Sequence, residues 1–491
     1  MASGYEPCPP PVDPFVDIVE DGFGFYTDVC GNKEIVRRFT FTNQNYLTIQ
    51  VITYGATITS IKYPDQCGVV EDVVLGYDGI EGYISDTSHY MGAIIGRYAN
   101  RIAKGHFKIN DDDFQLSKNH GEHHIHGGFF GFDKVNWKSD LQGKKLVLTY
   151  LSQDGEEGYP GELLVSVSYQ MTTDNSFFME MRATTSKPTP INLTNHTYFN
   201  LAGHTTGAKG LMQHVMNINA DRIVTTDDLS IPTGCLQNVT GTLWDLRIPR
   251  KLGTVIQHVP YGGFDQCMCI HKTDDECMTF NARVVHPESG RILEVYSNQP
   301  GVQFYTANDF PRAGRTINSE GDGVIIIKGK NGVHYYKHHA FCLETQGYPD
   351  SVNHKNFPNT ILRPGEMYCH KVRYKFSLYE DVVLEPEDFD DAINDWEGEA
   401  EGEIDEPADV DAGGDDLLGD SIRIRDMHGL LIFLLQKHSN YLKNFCCNYL
   451  YYILCNTNVG GMSIYTLPII LEFCTEDRNK WLFHFENRCT E

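Results

Sequence analysis

Residues 371–378 read Lys371-Val-Arg-Tyr-Lys-Phe-Ser-Leu378, and the reading of this octapeptide decides the fold class. Apolar and polar residues alternate along it. A period of two places one set on a buried face and the other on a wet face of an extended strand. The same alternation returns in Leu47-Thr-Ile-Gln-Val51, in Leu164-Val-Ser-Val-Ser-Tyr169 and in Arg291-Ile-Leu-Glu-Val-Tyr296. Gly, Asn, Asp and Pro break up the runs. Long amphipathic helical windows are absent, and nothing reads as a βαβ unit. The 45 Gly and the combined 53 Phe and Tyr suit a turn-rich β protein. The expectation is an all-β chain with one large antiparallel β-sandwich over residues 21–379.

Outside that stretch the texture changes. Residues 1–20 read as a loose leader. Residues 380–420 hold 19 Asp or Glu and no Lys or Arg. With few apolar residues and no neutralising charge, such a segment cannot offset the entropy of ordering, so it reads as a disordered acidic linker. Residues 421–491 form an appendage of unknown role. Its apolar runs, Leu430–Leu435 and Phe445–Cys455, are well short of the roughly 20 residues a membrane helix needs. No membrane partner is expected.

The net charge of the 491 residues is −26, largely contributed by the linker. An acidic balance argues against nucleic acid as a partner, because phosphate binding needs a basic face. The N-terminus has neither a basic nor an apolar signal region. Fourteen Cys fall without a regular framework, which suits reduced thiols in the cytoplasm. The N-x-S/T triplets at Asn192, Asn195 and Asn238 are then incidental.

Several segments bear chemistry. Asn119-His-Gly-Glu-His-His-Ile-His126-Gly-Gly128 holds four His in seven residues. A metal reading wants further ligands at coherent spacing, and Gly and Phe follow instead. His124 and His126, two apart on a strand, would share a face. A surface His run fits His120, His123 and His124 better than His126, which precedes two glycines where backbone can approach a ligand closely.

Ile191-Asn-Leu-Thr-Asn-His196-Thr-Tyr-Phe-Asn-Leu-Ala-Gly203 flanks His196 with groups able to fix its tautomer, as a general acid needs. A satisfied structural His fits the same pattern. In Phe341-Cys-Leu-Glu344-Thr-Gln-Gly-Tyr-Pro349 a carboxylate stands near a strand end. Partial desolvation there would raise its pKa and make it a base, whereas a rim salt bridge is the bland alternative. Gly96-Arg-Tyr-Ala-Asn100-Arg101 could grip a polyol or an anion. Phosphate-loop, nucleophile-elbow and dinucleotide fingerprints are missing, so ATP, serine-hydrolase and NAD chemistries lack their usual carriers.

Taken in order, GRYANRIA, HHIHGG, LTNHTYFNLAG, GGFDQ, QPGVQFYT, FCLETQGYPDSVN and LRPGEMY resemble the aldose 1-epimerase (galactose mutarotase) family. DVVLGYDGIEGY from Asp72 to Tyr83 fits as well. The resemblance spans about residues 20–380. It implies a galactose mutarotase-like supersandwich that interconverts the anomers of a small aldohexose such as galactose or glucose. It implies His196 as general acid and Glu344 as general base. Asn100, Arg101, His126, Tyr198, Asp265 and Gln303 match sugar-contacting positions. No metal and no redox cofactor is expected, and a monomer is. An epimerase of phosphorylated hexoses and a non-catalytic sugar-binding protein are the alternatives. Gln266, Cys235 and the Pro311–Gly323 loop depart from the family's pattern and leave sugar preference open.

Overall fold

In the computed structural model the Tyr368–Leu378 strand runs through the middle of a nine-stranded sheet, between Ser176–Thr185 and Arg291–Ser297. Val372, Tyr374 and Phe376 are each 1% exposed while the residues between them are half-buried, as the alternation requires. The structure describes residues 15–28, 30–272, 278–313, 326–379, 470–472 and 482–484.

The nine strands pair antiparallel throughout. A five-stranded antiparallel sheet comes from the N-terminal part, with strands Asp17–Thr27, Lys33–Thr42, Thr48–Ile52, Thr57–Pro64 and Val70–Asp72. A six-stranded sheet is ordered Tyr198–Phe199, Phe341–Gln346, Gly301–Tyr305, Asp265–Ile270, Ala220–Thr226 and Pro232–Asn238. Among the described residues the α-helices are short, Ile80–Ser85 being six residues and Gly207–Leu211 five. None is long and apolar enough to cross a membrane.

One hydrophobic cluster joins the three sheets. Phe41 of the five-stranded sheet meets Phe177 of the nine-stranded sheet edge to face, ring centres 5.5 Å apart. Phe199 of the six-stranded sheet meets Tyr374 at 5.3 Å. The inner faces interdigitate as in a β-sandwich, and burying each large apolar side chain contributes roughly 1.5–3 kcal/mol. This is the all-β sandwich that the alternation predicts.

The sheet begins earlier than the sequence suggests. Asp17–Glu20 already pair with Phe39–Thr42, so ordered structure starts inside the stretch read as leader. The chain divides into units of residues 1–383 and 384–491. In the second, Ile470–Glu472 pairs antiparallel with Leu482–His484. The acidic linker, most of the C-terminal appendage and most of the Pro311–Gly323 loop lie outside the described residues.

Candidate active site

The strand Phe341–Gln346 has two kinds of face. Phe341 and Leu343 enter the main core, and the pleat turns Cys342 and Glu344 to the other side. Registry then assembles a row across three strands. Glu344 stands opposite Gln303, and Gln303 opposite Cys267. One row along, Cys342 lies between Tyr305 and Tyr198, and Tyr305 lies opposite Asp265. Gln303 Nε2 donates to Asp265 Oδ1 at 2.7 Å. Residues distant in sequence thus share one face of the six-stranded sheet.

His196 lies two residues ahead of the Tyr198–Phe199 strand. Its N–H donates to the Ala93 carbonyl and its own carbonyl accepts from Gly92, each at 2.9 Å, which fixes its backbone. Its Nε2 is 3.7 Å from Glu344 Oε1, and its Nδ1 is 3.6 Å from the Cys342 thiol. Tyr198 stacks on the imidazole at 4.9 Å and 25°, and Tyr90 covers the ring at 6.0 Å and 27°. His126 meets it edge-on at 5.4 Å. The flanking polar residues do not fix its tautomer. Asn195 donates to Gly92 O and accepts from Thr197, on the opposite face.

The HHIHGG segment turns out differently from a plain strand. His124 is buried, its Nδ1 on Ser117 O and its Nε2 on the Tyr159 hydroxyl, so it belongs to the interior and not to a surface run. His126 has φ +51°, which breaks the alternation and sends the two rings apart. Asn100 clamps His126: the His126 N–H donates to Asn100 O, and the Asn100 N–H donates to His126 Nδ1 at 3.2 Å. With Nδ1 accepting, the proton of neutral His126 resides on Nε2. Gly127 follows at φ +84°, and a Cβ there would lie 1.8 Å from Gly96 O. The close approach of backbone to backbone explains the glycine.

Burial governs the electrostatics. It pushes the Glu344 carboxyl well up, assisted by Asp265 and opposed by Arg101. It pushes His196 down to about 4. Asp265 also rises by burial, against Arg101 and the Gln303 hydrogen bond, and His126 falls well below its ordinary value. Each group is driven toward its uncharged form. Arg101 Nε, Gln303 Oε1 and Glu344 Oε2 are buried without a hydrogen-bond partner. Unpaired buried atoms occur elsewhere too, as at Asn281, but these three converge on one site, where the hydroxyls of a polar ligand would pair them. A narrow recess is lined by Asn100, Arg101, Asp265, Cys267 and Gln303 among others. His126, His196, Tyr198 and Glu344 are buried beside these residues, each no more than 8% exposed.

The eight residues named from the sequence therefore converge in one region of the fold. Gln266 folds back to accept from the Asp265 N–H at 3.0 Å, and Cys235 is exposed on the outermost strand of the sheet. Tyr90, Cys342 and Cys267 escape sequence reading. Cys342 is within a quoted motif, and its spacing of two from Glu344 places it on the same face. Tyr90 carries no local signal, because its position depends on φ +57° in a loop. Among the described residues, one trio of metal-capable side chains converges: His196, Cys342 and Glu344. A buried acid–base pair beside hydrogen-bonding groups can move protons on a hydroxylated small molecule.

Residues 37–375 match the family described as aldose 1-epimerase. Galactose mutarotase from Mus musculus is 46% identical over 332 residues, 68% of this chain and 92% of its own length. Aldose 1-epimerase of Escherichia coli K12 is 32% identical over 350 residues, covering 69% and 95%. The crystal structure of an aldose epimerase homologue from C. elegans superposes with TM-score 0.61 at 27% identity, covering 69% of this chain and 97% of that one.

Proposed function

The chain belongs to the aldose 1-epimerase family, and from that premise we propose that His196 and Glu344 are its acid–base pair. The enzyme is an isomerase that interconverts the α and β anomers of hexoses such as galactose and glucose. The relatives do not favour a phosphorylated substrate or a non-catalytic role.

A cyclic aldose is a hemiacetal. Opening it takes a proton onto the ring oxygen and another off the C1 hydroxyl. His196 as imidazolium donates from Nε2 to the ring oxygen while the Glu344 carboxylate accepts the C1 hydroxyl proton. The C1–O5 bond breaks and the carbonyl forms. The pair is then neutral imidazole and carboxylic acid, the two forms that burial favours. The open aldehyde rotates about C1–C2. The C5 hydroxyl attacks the other carbonyl face, His196 takes its proton, and Glu344 returns a proton to O1. The proton inventory closes. Each acid or base step contributes roughly 10²–10⁴-fold.

His126 Nε2–H serves as a fixed donor, and Arg101, Asn100, Asp265 and Gln303 hold hydroxyls. Tyr198 acts through His196 by covering its ring. The 3.7 Å opposition of His196 Nε2 and Glu344 Oε1 is the observation that carries the assignment. The acidic balance speaks against a nucleic-acid partner and the unframed thiols for a reducing, cytoplasmic setting. The test is polarimetry of α-galactose and α-glucose with wild type and His196→Gln. The variant is expected to lose most activity toward both sugars while its melting temperature holds. An unchanged rate would remove His196 from the mechanism.

A further inference from the structure

We propose that His196, Cys342 and Glu344 form a binding site for a thiophilic divalent cation such as zinc, which shuts off the catalytic pair when it binds. The inhibitory half of this proposal rests on the acid–base reading above; the binding half does not.

The three side chains offer an imidazole nitrogen, a thiol sulfur and a carboxylate oxygen, all within 4.8 Å of one another. Cys342 and Glu344 share a face because they are two residues apart on one strand; His196 turns Nδ1 to the thiol and Nε2 toward the carboxylate, and a metal would take Nδ1. With Zn–S near 2.3 Å and Zn–N near 2.0 Å, neighbouring ligand atoms of a tetrahedral zinc lie about 3.6 Å apart. The Cys342 Sγ to His196 Nδ1 distance is 3.6 Å. The carboxylate closes the trio with a shift of about an ångström. Glu344 Oε2 has no hydrogen-bond partner to lose.

Charge fits a buried site. Binding releases the thiol and carboxyl protons, and one M²⁺ then balances one thiolate and one carboxylate, with His196 neutral. The complex is uncharged, so burial does not penalise it. Three protein ligands leave a fourth position for a water, the arrangement of an open rather than a closed zinc site. Magnesium and calcium demand oxygen ligands, of which the trio supplies only a carboxylate. A bound ion occupies the Glu344 oxygen that otherwise takes the sugar's proton, and on Nδ1 it keeps His196 from reaching the imidazolium form that donates from Nε2.

The experiment uses the full chain. α-Glucose conversion is followed by polarimetry during titration with zinc chloride, with magnesium chloride as control. Cobalt replaces zinc in a parallel spectroscopic titration. Expected are a zinc-specific loss of at least tenfold, full recovery with EDTA, relief by high sugar, and a thiolate-to-cobalt charge-transfer band. In Cys342→Ala the band weakens, and whatever activity remains resists zinc at concentrations that silence wild type. The wild-type-minus-variant difference isolates this thiol from exposed Cys30, Cys67 and Cys235. Equal zinc sensitivity in both proteins, or no wild-type inhibition together with no difference in the cobalt band, overturns the proposal. A Cys342-dependent band without inhibition upholds the metal site and overturns the catalytic reading of the pair.

Discussion

Replacing Glu344 by Gln separates catalysis from stability. The side chain is 2% exposed, and the amide has nearly the same shape, so packing is retained. The amide cannot accept the C1 hydroxyl proton. Loss of the base costs roughly 10²–10⁴-fold, which at 1.36 kcal/mol per decade is about 2.7–5.4 kcal/mol of barrier. Stability should move the other way. Burial raises the folded pKa of Glu344 above its ordinary 4.5. A carboxyl with a raised folded pKa supports the fold fully below its unfolded value and loses that support as pH climbs. Wild type therefore carries a handicap at pH 7 that the non-titrating amide lacks. The melting temperature of Glu344→Gln relative to wild type should rise between pH 5 and pH 7. Polarimetry of α-glucose, corrected for the spontaneous reaction, and thermal unfolding at the two pH values supply the readings. A rate within about threefold of wild type refutes the base assignment. A melting temperature depressed equally at both pH values refutes the burial argument.

Acid should destabilise the sandwich by a definite route. Burial lowers His124, His196, His204 and His339 to about 4 and His214 and His370 to about 3. These groups bind protons more readily unfolded, so stability falls as pH drops from about 6.5 toward 4, and melting temperatures at pH 7 and pH 5 should differ by several degrees. Gly127→Ala places a Cβ against Gly96 O at φ +84°; it should cost more than about 3 kcal/mol in urea unfolding, and a cost below 1 would contradict the described backbone. A chain ending at Tyr379 should retain wild-type polarimetric activity, since every proposed site residue and the matched segment precede that point. EDTA should leave the rate of both forms undiminished; a fall on chelation would require a metal in catalysis.

The fold class was legible because period-two alternation is a local property, and Val372, Tyr374 and Phe376 fill the interior as it demands. The site was legible as a set of motifs, since eight residues named from the sequence converge in the same region. What stayed hidden depends on backbone outside the strand repertoire. His126 at φ +51° turns away from His124, and Tyr90 at φ +57° reaches His196 from a loop. The nitrogen partner of His196 was misread for a related reason. Asn195 and Thr197 are neighbours in sequence, but Cys342 is the neighbour across the Tyr198–Cys342 pairing. Pairing between strands more than a hundred residues apart leaves no mark in a local window.

The alternate residues of Phe341–Gln346 divide between holding the sandwich together and carrying the chemistry. A slip of one residue against Gly301–Tyr305 would drive Glu344 into the core and lift Phe341 and Leu343 out of it, forfeiting roughly 1.5–3 kcal/mol for each apolar side chain. No misaligned form of that sheet can turn over sugar. Recovery of polarimetric activity after denaturation therefore counts molecules whose six-stranded sheet has found its native partners. The enzyme's own reaction becomes a clock for that long-range pairing, readable without a label or a spectroscopic probe.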